Sequence, residues 1–222
     1  MLNISPVSPN NSFRKRRVAL LAKIIDEYIA IKGRCRLIDM GGTLEFWNVW
    51  NTFFDYEKLE IVCVNLPAQS MAAPHSNVRY LQGNACDLSD FEDKAFEVAF
   101  SNSVIEHVGS WANMQRFANE TARVAKSYFV QTPNFWFPVE PHARLPIVHW
   151  LPNQINYRIH MATKAGFYAK AANVGEAMVS VEDAELLDAR QMAYLFPDAD
   201  IKHERVLGLS KSILATRHQT PA

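Results

Sequence analysis

Five short runs rich in β-branched and aromatic residues punctuate the first part of the chain, at residues 34–39, 59–65, 78–82, 96–101 and 127–132. Their alternation with helical stretches constrains the fold more than any other feature. Between residues 13 and 32, Leu21, Ile24, Ile25, Tyr28 and Ile29 fall at helical spacing, and Gly33 follows as a stop. A second helical stretch runs over 44–54. A third, 111–125, places Met114, Phe117, Ala118, Thr121 and Val124 on one face. Strands alternating with helices imply βαβ units and a parallel sheet. The last third breaks this pattern: a helix is expected over 184–196, then two strands, 201–207 and 211–216, joined around Gly208. So short a link cannot carry a crossover helix, so these two strands must be antiparallel. No internal repeat is visible.

A length of 222 residues fits one domain, expected over 13–222, preceded by a flexible Asn-, Ser- and Pro-rich tail at 1–12. Residues 133–165 break the rhythm: Pro133, Pro138, Pro141, Pro146 and Pro152 stand among Phe135, Trp136, Phe137 and Trp150. Such a segment cannot be a central strand or an uninterrupted helix. It follows the fifth strand, where open α/β sheets place ligands, and is expected to form a lid. Three consecutive rings cannot all point inward, so at least one of Phe135, Trp136 and Phe137 should be exposed.

With 23 basic and 23 acidic residues the net charge is zero, which argues against nucleic acid as a partner. The run Arg14–Arg17 reads as a solvated helix face. Cys35, Cys63 and Cys86 form no CxxC pair, so they read as buried small hydrophobes, and no metal site is expected. No run approaches the ~18 apolar residues of a spanning helix, so stable membrane insertion is not expected and a cytoplasmic location is.

The first strand ends in Leu37-Ile-Asp-Met-Gly-Gly-Thr43, a turn whose glycines let backbone approach a ligand. The GxGxxG fingerprint is missing and no acid ends the second strand, which counts against a nicotinamide enzyme. Trp47 and Trp50, on the following helix, should pack in the core.

Taken together, Asp39-x-Gly41-Gly42, Val64-Asn65-Leu66, Gly83-Asn84-Ala85 and the stretch Phe96–Val108, with its Phe-Ser-Asn-Ser-Val-Ile-Glu-His-Val, occur in order at strand ends. The chain here resembles the class I S-adenosylmethionine-dependent methyltransferases. The resemblance implies an α/β, Rossmann-like three-layer sandwich whose seven-stranded, mostly parallel sheet has an antiparallel last strand. It also implies S-adenosylmethionine as cofactor and a small-molecule acceptor. Asp39, Gly41 and Gly42 would then line the methionine and ribose, Asn65 and Leu66 the ribose hydroxyls, Asn84 and Ala85 the adenine, and Ser101 and Asn102 the methionine. His107 would be a general base, with Glu106, Trp136 and His142 contacting the acceptor. Two departures stand out: the glycine motif is shortened, and amides at Asn65 and Asn84 replace the family's usual carboxylates. A neutral hydrogen bond is about half as strong as a charge-assisted one. The alternative reading is therefore a non-catalytic binding or scaffold member of the fold.

Overall fold

A computed structural model describes residues 12–66, 73 and 75–220. Residues 1–11 of the expected tail lie outside the described residues, and Ser12 is already helical. The elements run α1 (Ser12–Lys32), β1 (Cys35–Met40), α2 (Leu44–Val49), β2 (Leu59–Asn65), β3 (Val78–Gln82), β4 (Phe96–Asn102), α3 (Trp111–Val124) and β5 (Ala125–Pro133). There follow α4 (Asn153–Ala162), α5 (Val174–Glu182), α6 (Ala189–Leu195), β6 (Asp200–Val206) and β7 (Leu209–Arg217).

The seven strands form one sheet in the order β3-β2-β1-β4-β5-β7-β6. Strands β1 to β5 pair in parallel. Strand β7 is antiparallel to both β5 and β6, so it alone runs against the rest, as the resemblance implies. The central strands β1, β2 and β4 are mostly buried because both faces are covered, whereas the edge strands β3 and β6 are largely exposed. On one face Ile38, Met40, Val62, Ala99 and Val130 pack with Met114, Phe117 and Val124 of α3 and Met192 of α6. On the other, Leu37, Cys63, Val98 and Phe129 pack with Val18, Leu21 and Ile25 of α1 and with Trp47. The period-two alternation of β1 thus sends Leu37 and Ile38 into opposite cores. The three cysteines are free and buried, as their composition suggested.

Helix α3 buries the face its spacing marks out. The C-terminal helix is shorter than the expected 184–196. It starts only at Ala189, because the Asp188 carboxylate accepts from the N–H groups of Arg190 and Gln191 while the Gln191 side chain returns the bond, a capping box. Upstream, Leu187 bridges Asn134 in extended form. Helices α4 and α5, between β5 and α6, carry no strong apolar period and escape a pattern-based reading.

The N-terminal helix is fastened to the sheet by a buried polar contact. The Tyr28 hydroxyl lies 2.9 Å from Ser127 Oγ on β5 and donates to the Gln219 carbonyl at 2.8 Å. Tyr28→Phe should therefore destabilise the protein by about 1–2 kcal/mol in urea titration, with an unchanged m-value.

Candidate active site

Between β1 and β4 the strand order reverses direction, with β2 and β3 on one side and β4 and β5 on the other. Open α/β sheets form their ligand crevice at the carboxyl ends of strands at such a point. There, Gly41 takes φ +79°, and its N–H donates to the Val64 carbonyl at 2.7 Å. A Cβ on Gly41 would stand 2.3 Å from Val104 Cγ1, and one on Gly42 would stand 1.8 Å from Asp39 Oδ2. Both glycines are thus required by the chain's own packing. This requirement is separate from the room for a ligand that the sequence suggests.

Several residues expected to touch the cofactor are spent on holding this turn. Asp39 is 1% exposed and accepts from Trp47 Nε1 at 2.8 Å. Burial pushes its carboxyl up to about 7, with the Trp47 bond pulling the other way. Asn65 Nδ2 donates to the carbonyls of Gly41 and Gly42 at 3.0 and 3.1 Å, and its Oδ1 accepts from Leu66 N–H. The buried Ser101 hydroxyl donates to the Met40 carbonyl at 3.0 Å, tying β4 to β1. Asn84 is exposed and its Oδ1 accepts from Cys86 N–H, with Ala85 half-buried beside it. Asn102 Oδ1 accepts from Arg17 Nη1 at 2.6 Å. The N–H groups of Gly42 and Thr43 have no acceptor among the described residues.

Past β4 the chain is re-aimed by Ser103 at φ +58°, a left-handed residue held by Gln131, whose backbone carbonyl accepts its N–H and whose side chain accepts its hydroxyl. The 3-10 turn Ile105–His107 follows and brings Glu106 and His107 against His142. The rings of His107 and His142 meet edge to face at 4.8 Å. Glu106 is 1% exposed: Oε2 accepts from the Thr132 hydroxyl at 3.0 Å, and Oε1 has no partner. Burial raises its carboxyl, partly offset by His107 and His142. His107 Nδ1 lies 2.8 Å from the Asp183 carbonyl. A carbonyl only accepts, so Nδ1 carries the proton and Nε2 keeps its lone pair.

His107 and His142 line a cavity of about 480 Å³ at the carboxyl ends of β4, β5 and the adjoining part of β7. Its wall carries Arg14, Arg17, Arg144 and Lys211 and no acidic residue. Arg17 is 5% exposed and pairs with Glu204 at 2.9 Å, so Arg14 and Arg17 belong to the cavity wall, while Lys15 and Arg16 between them form the solvated face the composition suggests. Burial lowers Arg14 to about 10, and the Arg17 charge adds to this. Lys211 is lowered by burial, then by Arg17. No local pattern announces that Arg14 and Arg17 of α1 converge with Arg144 and Lys211, which come from two other segments.

A larger cavity of about 850 Å³ lies beneath the 133–165 segment. Trp136, 62% exposed, lines this one, so the expected acceptor contacts Glu106 and His142 come together without it. Its lining takes no residue from a strand, whereas the smaller cavity takes Gln131 and Pro133 of β5 and Lys211 and Ser212 of β7, with Ser103 just past β4, so the smaller cavity is the better candidate despite its size.

Asp39 sets a pH signature for the turn. Its folded pKa stands above its unfolded value, so its contribution to stability is full below about pH 4 and lost as pH rises towards 7. Trp47→Phe removes the donor that favours the charged form. In thermal melts, its stability should fall more steeply than wild type between pH 5 and 8, by about 1–3 kcal/mol at the upper end.

Residues 42–128 match the family model described as a methyltransferase domain. Two uncharacterised proteins of Mycobacterium tuberculosis, from strains CDC 1551 and H37Rv, are each 37% identical over 62 residues, 28% of this chain. That match spans only 21% of each relative's length. Among solved structures, an O-methyltransferase family protein from Burkholderia thailandensis is 15% identical with a TM-score of 0.51, over 94% of this chain and 58% of that one. The CurJ carbon methyltransferase is 12% identical with a TM-score of 0.58, over 93% and 55%. The 1,6-didemethyltoxoflavin-N1-methyltransferase of Burkholderia thailandensis, solved with 1,6-didemethyltoxoflavin and S-adenosylhomocysteine, is 12% identical with a TM-score of 0.51, over 92% and 79%. At these identities the structures speak for fold alone. Residues 42–128 thus match a methyltransferase domain, and the fold that surrounds them is the one these methyltransferase structures share.

Proposed function

We propose that this protein transfers a methyl group from S-adenosylmethionine to a small molecule that carries an anionic group. The observation that carries this reading is the 480 Å³ cavity at the carboxyl ends of β4 and β5, with His107 at its edge and four Arg or Lys side chains in its wall. The backbone of the turn fits the cofactor: the open N–H groups of Gly42 and Thr43 are donors for its polar groups. The side chains fit less well, since those of Asn65 and Ser101 are occupied by carbonyls of the turn. When bound, the cofactor supplies an already activated methyl group on a positively charged sulfur. The protein then contributes alignment and exclusion of water.

Each side chain of the cavity has work consistent with this. Arg14, Arg17 and Lys211 repel one another in a partly buried wall that Arg144 also lines, and an anionic acceptor relieves that repulsion. Phe137, Val139 and Phe167 supply apolar walls that keep water out. An acceptor hydroxyl or amine loses its proton at the Glu106–His107–His142 group, where the His107 Nε2 lone pair is held by the Nδ1 bond to Asp183. Cytoplasmic location and a single domain over 13–222 with a lid at 133–165 belong to the same reading.

The second reading, a non-catalytic binding member of the fold, is favoured by one feature: the Asn65 amide closes back on the glycine turn. Calorimetry with S-adenosylhomocysteine separates the two, binding being expected and its absence favouring the scaffold. His107→Ala should lower turnover by ~10²-fold while leaving that affinity intact; equal loss of both would make His107 structural. Lys211→Met should weaken the binding of inorganic phosphate, used as a generic anion, by about fivefold or more. An unchanged affinity would remove the anionic group from the proposal.

A further inference from the structure

The Glu106–His107–His142 group has features that proton transfer alone does not explain. One donor atom from each residue lies within 4.8 Å of the other two. Glu106 is 1% exposed, and its Oε1 is buried with no partner. A buried oxygen left without a partner is costly, so something that satisfies it would be stabilising. Both imidazoles are turned by outer groups. His142 Nδ1 lies 2.7 Å from Glu140 Oε1, and His107 Nδ1 lies 2.8 Å from the Asp183 carbonyl, with that residue's carboxylate at 3.5 Å. Nε2 of each ring is then the nitrogen left to bind. Histidines that hold metal ions are oriented in this way, through a carboxylate or carbonyl on the far ring nitrogen. Three carboxylates, Glu106, Glu140 and Asp183, thus surround two imidazoles.

We propose that Glu106 Oε1 and the Nε2 atoms of His107 and His142 bind one divalent first-row transition cation at the edge of the acceptor cavity. Two nitrogens and one oxygen suit manganese, cobalt, iron or zinc ions better than the oxygen-seeking calcium or magnesium. Donors about 2.1 Å from a cation stand about 3.4 Å apart in a tetrahedron, so binding draws the three side chains closer together. Three protein ligands leave a position open on the cavity side. The site's use there rests on the methyl-transfer reading: with the His107 Nε2 pair held by the cation, the cation replaces His107 as the group that activates the acceptor, whose hydroxyl oxygen takes the open position, its O–H bond breaking, the proton passing to solvent and the oxygen keeping the electron pair as nucleophile. No redox change is involved. The ligands come from two segments that no sequence spacing links, so no metal motif announces them.

Cobalt(II) titrated into the metal-stripped, untagged full chain tests this, followed by visible absorption and calorimetry. One saturable site per chain with d–d bands is expected. Glu106→Gln and His142→Gln, close in shape to the native residues, should weaken it by at least about 100-fold at unchanged circular dichroism. Glu140→Gln, acting through His142, should weaken it about 10–100-fold. No saturable site, equal binding in the Gln variants, or a sulfur-to-cobalt charge-transfer band would overturn the proposal. Calorimetry with S-adenosylhomocysteine on the same samples keeps the two readings apart. Retained nucleoside affinity without a cobalt site sinks only the cation, and a cobalt site without nucleoside affinity supports the cation and sinks only methyl transfer.

Discussion

Helices cover the sheet on both faces, and everything else in the molecule follows from where that leaves backbone within reach of a ligand. Ile38 and Val62 are sealed beneath α3 and α6, Leu37 and Val98 beneath α1 and α2. Once both faces are closed, the carboxyl ends of the strands are the places where a small molecule meets polar groups on rigid supports. The turn after β1 and the turn after β4 sit side by side there, because β1 and β4 are neighbours in the sheet.

Most polar side chains at that edge are consumed by the fold. Asp39 is committed to Trp47, Asn65 and Ser101 to the carbonyls of the glycine turn and Met40, and Arg17 to Glu204, Asn102 and Gln131. Buried polar groups must find partners, and here they find them mostly within the turn itself. What stays open is therefore informative: the N–H groups of Gly42 and Thr43, one Glu106 oxygen, and the far ring nitrogens of His107 and His142, the two histidines lining the smaller cavity. Other orphaned atoms, on Asn156 and His160, lie at the larger cavity, where no strand end from β1, β2 or β4 contributes.

The readable part of the site is the part built from neighbours in sequence. Gly41, Gly42, Glu106 and His107 stand in short motifs whose position after a strand can be inferred from period and punctuation. His142 is legible only as a histidine in a proline-rich loop, and nothing in that loop says it will face His107 edge to face. The cationic wall is harder still. Arg14 and Arg17 follow the pattern of a solvated helix start, and Lys211 sits in an ordinary strand; their convergence depends on how α1 crosses the strand ends beside β7. The family's cofactor contacts carried over by position mislead in one respect, since an amide at Asn65 has donors that a carboxylate lacks, and it uses them on the turn.

By itself the sequence determined the order and kind of the strands, the one antiparallel strand and the buried face of α3. These follow from local period, β-branching and a link too short for a crossover. Only the tertiary structure decided which polar groups are used up in holding the glycine turn and which are left over, and that Glu106, His107 and His142 meet. Hydrogen-bond satisfaction and charge convergence depend on distances across the fold, and distances between segments remote in sequence are set by packing.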